Sequence, residues 1–376
     1  MKHVNLGVIG IGVMGRVHLA NIVEANRVTL TAVCDVIKER ADKAAATYQC
    51  EAFTDHRTLL KSKVCDAVLI ATPHYAHTTI GIDALTAGLH VLVEKPLSVH
   101  KADCERLLAA YKNKRQVFSG MFNQRTDPLY CKIKQMIKSG ELGQLDRITW
   151  IITDWFRTQS YYDAGDWRAT WAGEGGGVLV NQATHNLDLW QWMFGMPDRV
   201  RGFCKLGRKH KIEVEDEVTA HLDYKSGCSG VFISSTGEAP GTNRLEIVGD
   251  RGKLVSENGD LRFTRNEFST NEVIRNSPDK YTRPEVWNVK MSMPNQGLQH
   301  AGILQNFIDA IVSGAELIAP AVEGIRAVEL GNAILYSSET EKTVDMPLNA
   351  SAYERMLKKK IKESKIIKEA GRPDAK

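Results

Sequence analysis

"VNLGVIGIGVMGRVHLANIVEANRVTLTAVCD", residues 4–35, decides the fold. A short apolar run leads into Gly10-Ile-Gly12-Val-Met-Gly15, a helical pattern follows over 13–25, and a second apolar run ends at Asp35. A glycine triad means little alone; between a strand and a helix it is the dinucleotide fingerprint. Gly10 permits the tight turn, Gly12 lets the backbone approach a pyrophosphate, and Gly15 lets the helix pack close to the strand. Val13 and Met14 open that helix, whose free N–H groups and dipole favour an anion. Asp35 ends the second strand, twenty residues beyond Gly15, placed to bind both ribose hydroxyls. It would repel the extra phosphate of NADP, and Val36 and Ile37 after it bring no positive charge, although Lys38 and Arg40 follow. NAD is the expected cofactor.

Outward from this stretch, residues 37–48 read as a helix, "DAVLIAT" (66–72) and "HVLVE" (90–94) as buried strands, and 77–87 as a helix between them. Continuous Val/Ile/Leu runs fit a parallel sheet covered on both faces, the doubly wound pattern. After "RQVFSGMFNQR" the texture changes. A helix is expected over 127–139, ended by Gly140. Then come alternating segments, "RITWIITDW", "EVTAHLDY", "CSGVFISST", "RLEIVGD", "GKLVSE" and "LRFTR", punctuated by "KSG", "GDRG" and "ENGD". Helical patterns return at 298–313 and 323–338. The expected architecture is an α/β Rossmann domain over 1–124 and an α+β domain over 125–376, built on a large, mostly antiparallel open sheet. An uncovered sheet face is an association surface, so a homo-oligomer formed through it is expected.

Composition excludes several classes. The chain has 376 residues, 43% hydrophobic and 25% charged, ordinary for a globular protein. Its seven cysteines (34, 50, 65, 104, 131, 204 and 228) are scattered and contain no CxxC pair, which favours a reducing compartment and argues against a metal site. "MKHVNLGVIG" holds too short an apolar run for a signal peptide, and no segment reaches a membrane span. A cytoplasmic location is expected. The net charge of +4 does not point to nucleic acid: residues 354–376 hold nine Lys/Arg against four Asp/Glu, so the remaining chain carries net −1. "YERMLKKKIKESKIIKEAG" reads as an amphipathic terminal helix on Tyr353, Leu357 and Ile361.

Two further segments carry chemistry. Glu94-Lys95-Pro96 closes "HVLVE", at the strand end where a doubly wound sheet contacts its ligand. Pro96 cannot continue the ladder, so the chain turns and Lys95 is held at the crevice, an arrangement that argues against FAD. "GGGVLVNQATHNLDLW", residues 175–190, reads as glycines giving room for close backbone approach at the cleft, then a helix. On that helix Leu179, Ala183, Leu187, Trp190 and Phe194 form an apolar stripe, and Asn181, His185 and Asp188 fall about 170° away. His185 therefore faces cleft or solvent.

With the fingerprint, "ATPHYAH" (71–77), "EKP" and "GGG…N…H..D" in this order, the chain resembles the Gfo/Idh/MocA oxidoreductases over essentially its whole length. The resemblance implies a Rossmann domain, an oligomerising C-terminal sheet domain and a substrate cleft between them. It implies that Lys95 and His185 flank the nicotinamide, that Ala71, Thr72, Pro73 and His77 form the loop beside the cofactor, and that Glu94 contacts its ribose. Asn123 and Arg125 of "FNQR" match a position near the nicotinamide. The inositol dehydrogenases of the family carry aspartate four residues before the histidine; here it is Asn181. That asparagine can donate to and accept from a hydroxyl but cannot take up a proton. "NQxxH", with "DWFRTQSYYDAGDWRATWAGEGGG" before it, is more similar to the family's sugar and glycoside dehydrogenases, the levoglucosan dehydrogenase and glycoside 3-oxidoreductase branch.

The expected reaction is NAD-dependent oxidation of a secondary hydroxyl of a sugar or glycoside, at C3 of a glucose-like ring. His185 serves as base, because imidazole titrates near neutral pH. Lys95 relays the proton or stabilises alkoxide charge, and its own charge keeps His185 neutral. Asn181, Asp188, Trp155, Tyr161, Tyr162, Trp167 and Arg168 are the expected substrate contacts, since sugars bind through C–H faces on aromatic rings and directed hydrogen bonds. An inositol or other sugar dehydrogenase is the nearest alternative, and a non-catalytic dinucleotide-dependent sensor the alternative of another class.

Overall fold

The computed structural model describes residues 2–165, 167–293 and 295–364. Six strands, β1 (Val4–Ile9), β2 (Val28–Cys34), β3 (Glu51–Phe53), β4 (Ala67–Ile70), β5 (His90–Val93) and β6 (Phe118–Gly120), form a sheet in the order β3-β2-β1-β4-β5-β6. Every pairing in it is parallel. The continuous apolar runs belong to such strands because helices cover both faces: Val4, Leu6 and Val8, and all four residues of β4, are wholly buried. The strand order reverses between β1 and β4. The loops after β1, β4 and β5 therefore gather at one carboxyl edge, where Gly10–Gly12, Ala71–Pro73 and Glu94–Pro96 meet.

Nine strands form the second sheet: β7 (Leu145–Ile152), β8 (Arg199–Leu206), β9 (Glu215–Asp223), β10 (Ser229–Ser235), β11 (Asn243–Gly249), β12 (Gly252–Glu257), β13 (Asp260–Asn266), β14 (Val286–Ser292) and β15 (Val344–Asp345). Their order is β14-β13-β12-β11-β7-β10-β9-β8-β15. The β7–β10 pair is parallel, and the other neighbouring pairs are antiparallel. The three turn signals close the β9–β10, β11–β12 and β12–β13 hairpins. In the last, Asn258 and Gly259 both take positive φ (52° and 79°), the geometry whose twist suits a two-residue hairpin. One face of the sheet packs on the Thr184–Phe194 helix, where Trp190 meets Trp150 of β7 and Phe232 of β10 with ring centroids 6.5 and 6.0 Å apart. The opposite face carries an ionic ladder: Glu246 is bonded by Arg147 (2.5 Å) and Arg244 (2.7 Å), and Arg244 also bonds Glu257 (2.8 Å).

The structure corrects the reading of residues 175–190. The helix begins at Thr184, and residues 177–183 form turns, with Asn181 N–H donating to the Gly177 carbonyl (3.0 Å) and Ala183 N–H to that of Val178 (2.7 Å). Asn181 therefore precedes the helix. The helix is also buried nearly all round, Asn186, Asp188 and Gln191 included. Asp188 does not face a cleft, and Arg125 does not face the cofactor loops. The two hold each other: Arg125 donates from Nε and Nη2 to the two Asp188 oxygens at 2.7 Å each, and from Nη1 to Glu323 (2.5 Å). A guanidinium 1% exposed has to be paired, and this pair ties the short helical turn Asn123–Thr126 to the Thr184–Phe194 and Ala321–Thr340 helices. The terminal amphipathic helix runs over Ala350–Glu363 with Tyr353 and Leu357 buried; the part of that expectation beyond residue 364 lies outside the described residues.

Asp188→Leu should leave the buried Arg125 charge with Glu323 alone and lower unfolding free energy by about 3 kcal/mol, whereas Arg125→Met with Asp188→Leu should lose clearly less. Urea titration of the three proteins checks this, and equal losses would contradict it.

Candidate functional site

The cofactor loops are shaped by what their glycines meet. Gly10 has φ +94°, and a Cβ there would lie 2.6 Å from the Ala71 carbonyl oxygen; a Cβ on Gly15 would lie 2.0 Å from the Gly10 oxygen. At Gly12 a Cβ would meet nothing within 4 Å among the described residues, so this backbone faces open space. The Val13–Glu24 helix starts there with no side-chain cap and no acidic residue in its first turn, so its first N–H groups stay available to an anion. Val13 is exposed, and Asp35 is drawn in by the N–H groups of Ile11 (2.8 Å) and Ile37 (2.9 Å).

Several buried polar atoms around these loops have no partner among the described residues: Thr72 Oγ1, His74 Nδ1, Asn123 Oδ1 and His185 Nδ1. Buried polar atoms normally find partners, and atoms left over around an open glycine backbone fit a ligand that brings its own. The residues present thus fit a dinucleotide, with Gly10, Gly12, Val13, Met14 and Gly15 at the phosphates, Asp35 at a ribose, and Ala71, Thr72, Pro73 and Asn123 alongside. His77 is an exception. Its ring nitrogens meet the carbonyl oxygens of Pro96 and Thr72, both at 2.8 Å, so this wholly buried ring fastens the β4 loop to the β5 loop instead of facing a ligand.

Glu94 is buried and accepts from His18 Nε2 (2.7 Å) and from the Lys95 N–H (3.0 Å). Burial alone would push its carboxyl up, but the His18 hydrogen bond and charge and the Lys95 charge hold it at about 2. Lys95 Nζ reaches across to the second domain and donates to the Asn181 carbonyl (3.2 Å) and to Asn181 Oδ1 (3.4 Å). Burial lowers its pKa from the ordinary 10.5, against the opposing charges of Glu94 and Glu174. His185 lies in the field of the same ammonium: burial first, and Lys95 second, bring its pKa well below 6.5.

Of the expected substrate contacts, Asn181, Tyr161, Trp167 and Arg168 come together. Tyr161 Oη receives N–H groups from Arg168 (2.9 Å), Gln182 (3.2 Å) and Asn181 (3.4 Å), and the Arg168 guanidinium lies 4.7 Å from the Tyr161 and Trp167 ring centroids. Trp155 stands nearby, its indole donating to Asn186 (3.4 Å) under Arg157. Tyr162 lies behind them: its ring meets that of Tyr161 edge-on at 5.2 Å, but it is buried, donates to Thr236 Oγ1 (2.8 Å) and packs on His210. The glycine run also serves another purpose than expected. A Cβ on Gly175 would fall 2.0 Å from Val99, and one on Gly177 2.0 Å from the Glu215 carbonyl oxygen, so the close approach is to protein.

Sequence reading missed four groups here. Glu174 bonds Asn181, and His300 lies 5.7 Å from His18 by ring centroids and acts electrostatically on Glu94 and His185. His74 sits edge-on to Trp167 at 5.3 Å, and Gln299 accepts from Asn123 Nδ2 (2.7 Å). The one available signal was Glu174, an acid set directly against three glycines. Among the described residues, no three His, Cys, Asp or Glu side chains are grouped to hold a metal ion, and no helix is long and apolar enough to cross a membrane.

Comparison with known proteins bears on the fold and the cofactor. Residues 4–122 match the model of an oxidoreductase family with an NAD-binding Rossmann fold, and residues 130–255 match that of the GFO/IDH/MocA C-terminal domain. The inositol 2-dehydrogenase of Salmonella typhimurium is 37% identical over 142 residues, 37% of this chain and only 42% of that protein. The levoglucosan dehydrogenase of Pseudarthrobacter phenanthrenivorans is 26% identical over 92% of this chain and 99% of its own. A solved levoglucosan dehydrogenase in complex with NADH and L-sorbose superimposes with a TM-score of 0.77 at 23% identity, covering 93% of this chain and all of that one.

Gly12→Ala should leave thermal stability unchanged, since its Cβ enters open space, yet weaken NADH binding at least about tenfold by standing where the phosphates lie. Gly15→Ala should lower the melting temperature, because a backbone oxygen has to move. Fluorescence titration and thermal melts separate the two effects.

Proposed function

Because the chain belongs to the GFO/IDH/MocA family of oxidoreductases and carries its NAD-binding Rossmann domain, we propose that it oxidises a secondary hydroxyl of a sugar or glycoside, at C3 of a glucose-like ring. The observation that carries the reading is the pairing across the domain junction. Lys95 reaches Asn181, and the depressed His185 keeps an unpartnered Nδ1 beside them. Bound NAD supplies the hydride acceptor. His185, neutral at pH 7 by burial and by the Lys95 charge, takes the hydroxyl proton. Lys95, with two of its N–H groups on Asn181, has a third with which to stabilise charge developing on the reacting oxygen. Tyr161, Trp155 and Trp167 offer ring surface for sugar C–H faces, and Asn181 and Arg168 offer hydrogen bonds.

Likeness to levoglucosan dehydrogenase along nearly the whole chain, and an amide in place of a carboxylate at 181, favour a sugar or glycoside over an inositol. The stronger but local identity to the Salmonella inositol 2-dehydrogenase keeps inositol as the second reading. The uncovered face of the nine-stranded sheet, where Phe203 is exposed beside Arg201, is the surface through which copies would associate. The cysteines are free thiols, as suits a reducing, cytoplasmic setting.

Incubating the protein with NAD and a panel of glycosides, free hexoses and inositols, with NMR of the product, should reveal a 3-keto sugar; reaction with inositols alone would refute the glycoside reading. Lys95→Ala and His185→Ala should each cut kcat by about 10²–10⁴-fold while NADH still binds, whereas a sensor would lose nothing it uses. The base is protonated below its pKa, and that pKa is depressed, so the acid limb of kcat/KM should lie below pH 6.5. In Lys95→Met the residual activity should show that limb shifted upward, as the repelling charge is gone.

A further inference from the structure

The amide of Asn181 is an ambiguous group: either end can face Lys95. Its surroundings remove the ambiguity. Glu174 is 2% exposed, and its Oε2 accepts the Ala169 N–H (2.6 Å) while its Oε1 accepts from Asn181 Nδ2. A carboxylate held by backbone N–H on one oxygen is an acceptor, so it claims the NH₂ end of the amide and turns Oδ1 toward Lys95 Nζ. The loop is built to hold Glu174 there: the N–H groups of Glu174 and Gly175 both return to the Thr170 carbonyl (2.9 and 3.0 Å), and Ala169 takes φ +51° to present its own N–H. Gly175, with φ +80°, lets the chain turn away against Val99.

We propose that Glu174 is the positioning residue of the site: through Asn181 it adds a second negative charge, after that of Glu94, beside the Lys95 ammonium and fixes where its free N–H points. The inference rests on the proposed dehydrogenase reading for its purpose, but its geometry stands without it. Burial raises the Glu174 carboxyl above its ordinary range, and four influences oppose this and favour the carboxylate: the Ala169 N–H, the charge of Arg168, the Asn181 Nδ2 and the charge of Lys95. Facing Lys95 are Glu94 from the end of β5, Glu174 from the loop, and Arg168 and Arg157 from the aromatic segment, with His185, His74, His77 and His300 around it. Of the two carboxylates, Glu94 is already taken by His18 and by the Lys95 backbone. Glu174 is the one that reaches the Lys95 head group through a side chain of the substrate domain. A carboxylate at 181 would touch the ammonium directly and carry its own charge. Here the charge stands one hydrogen bond further back, and the group beside the substrate is a neutral amide: its N–H groups are held by Glu174 and Tyr161, and its Oδ1 keeps a lone pair with which to accept from a hydroxyl.

The test uses the full chain and two readouts. In the resting protein, competitive labelling with acetic anhydride across pH, read by mass spectrometry at Lys95, gives its titration midpoint without any turnover. Glu174→Gln should move that midpoint acidward by about one pH unit or more, and the alkaline limb of kcat/KM should move with it. Asn181→Asp alone sets a second carboxylate against Glu174 and should be the less active single variant. Glu174→Gln with Asn181→Asp returns one charge to the chain, with the introduced amide donating to the introduced carboxylate, and should restore both the midpoint and most of the activity. A Lys95 midpoint unchanged in Glu174→Gln, or a double variant no better than the worse single one, overturns the proposal. Should the wild type oxidise no sugar at all, the dehydrogenase reading fails by itself, and the labelling midpoints still decide for or against Glu174.

Discussion

A single ammonium group sets the terms for this molecule. Lys95 sits at the end of β5 in a place that strips water from it, and removing a charge from water is costly unless opposite charge is arranged nearby. Much of the polar architecture around the crevice answers that cost. Glu94 is held ionised by His18 and placed next to Lys95 in the chain, and Glu174 is built into a closed loop across the junction. Burial first, and the same ammonium second, keep protons from His185, which is why a histidine with a bare, buried Nδ1 can remain a neutral acceptor. The proposed base and the proposed electrostatic stabiliser are thus linked through one half-buried charge.

The crevice needs the two sheets to keep a fixed relation, and buried cations contribute to it: Lys101 bonds Glu329 and the Leu348 carbonyl, both at 2.8 Å, and Arg125 does the same service beside the site. Arg125, at the first turn after the parallel sheet, is clamped by Asp188 and Glu323 from two helices of the other layer. Asp188 lies one helical turn after His185. The ion pair that ties the junction therefore also anchors the helix carrying the proposed base. His77 performs the corresponding service on the cofactor side, stitching the β4 loop to the β5 loop.

What the sequence makes legible follows from the range of the forces involved. Four strands of the parallel sheet (β1, β2, β4 and β5) and the glycine loop are local: apolar runs, a turn and a helix start are each written within about ten residues, whereas β3 and β6, of three residues each, carry no such run. Six of the nine strands of the second sheet were legible for the same reason, through alternation and turn residues. β8 mixes charge into its pattern, β14 is exposed on nearly every residue, and β15 has two residues, so none carries a periodic apolar signal. Residues whose partner lies far along the chain were misassigned. Arg125 and Asp188 both look like ligand contacts when read singly, and only the fold reveals that they neutralise each other over 63 positions. Tyr162 next to Tyr161 is the same case in miniature. Asn181, read as a helix residue, lies in a turn because the close packing of Gly177 on Glu215 delays the helix to Thr184.

That delay has a chemical consequence. On a helix, Asn181 would present only its side chain to the crevice, its carbonyl being spent on the next turn. In the turn, Asn181 offers Lys95 both its carbonyl and its amide oxygen. Two neutral acceptors at 3.2 and 3.4 Å, one of them backed by Glu174, can stabilise an ammonium without placing a second anion beside the hydroxyl that, in the proposed reaction, loses its proton. An aspartate at this point would solvate Lys95 more strongly and oppose alkoxide formation more strongly as well. Setting the charge back by one hydrogen bond separates these two effects, and it is the triple glycine, by letting the chain fold tightly between Glu174 and Asn181, that makes the separation geometrically possible.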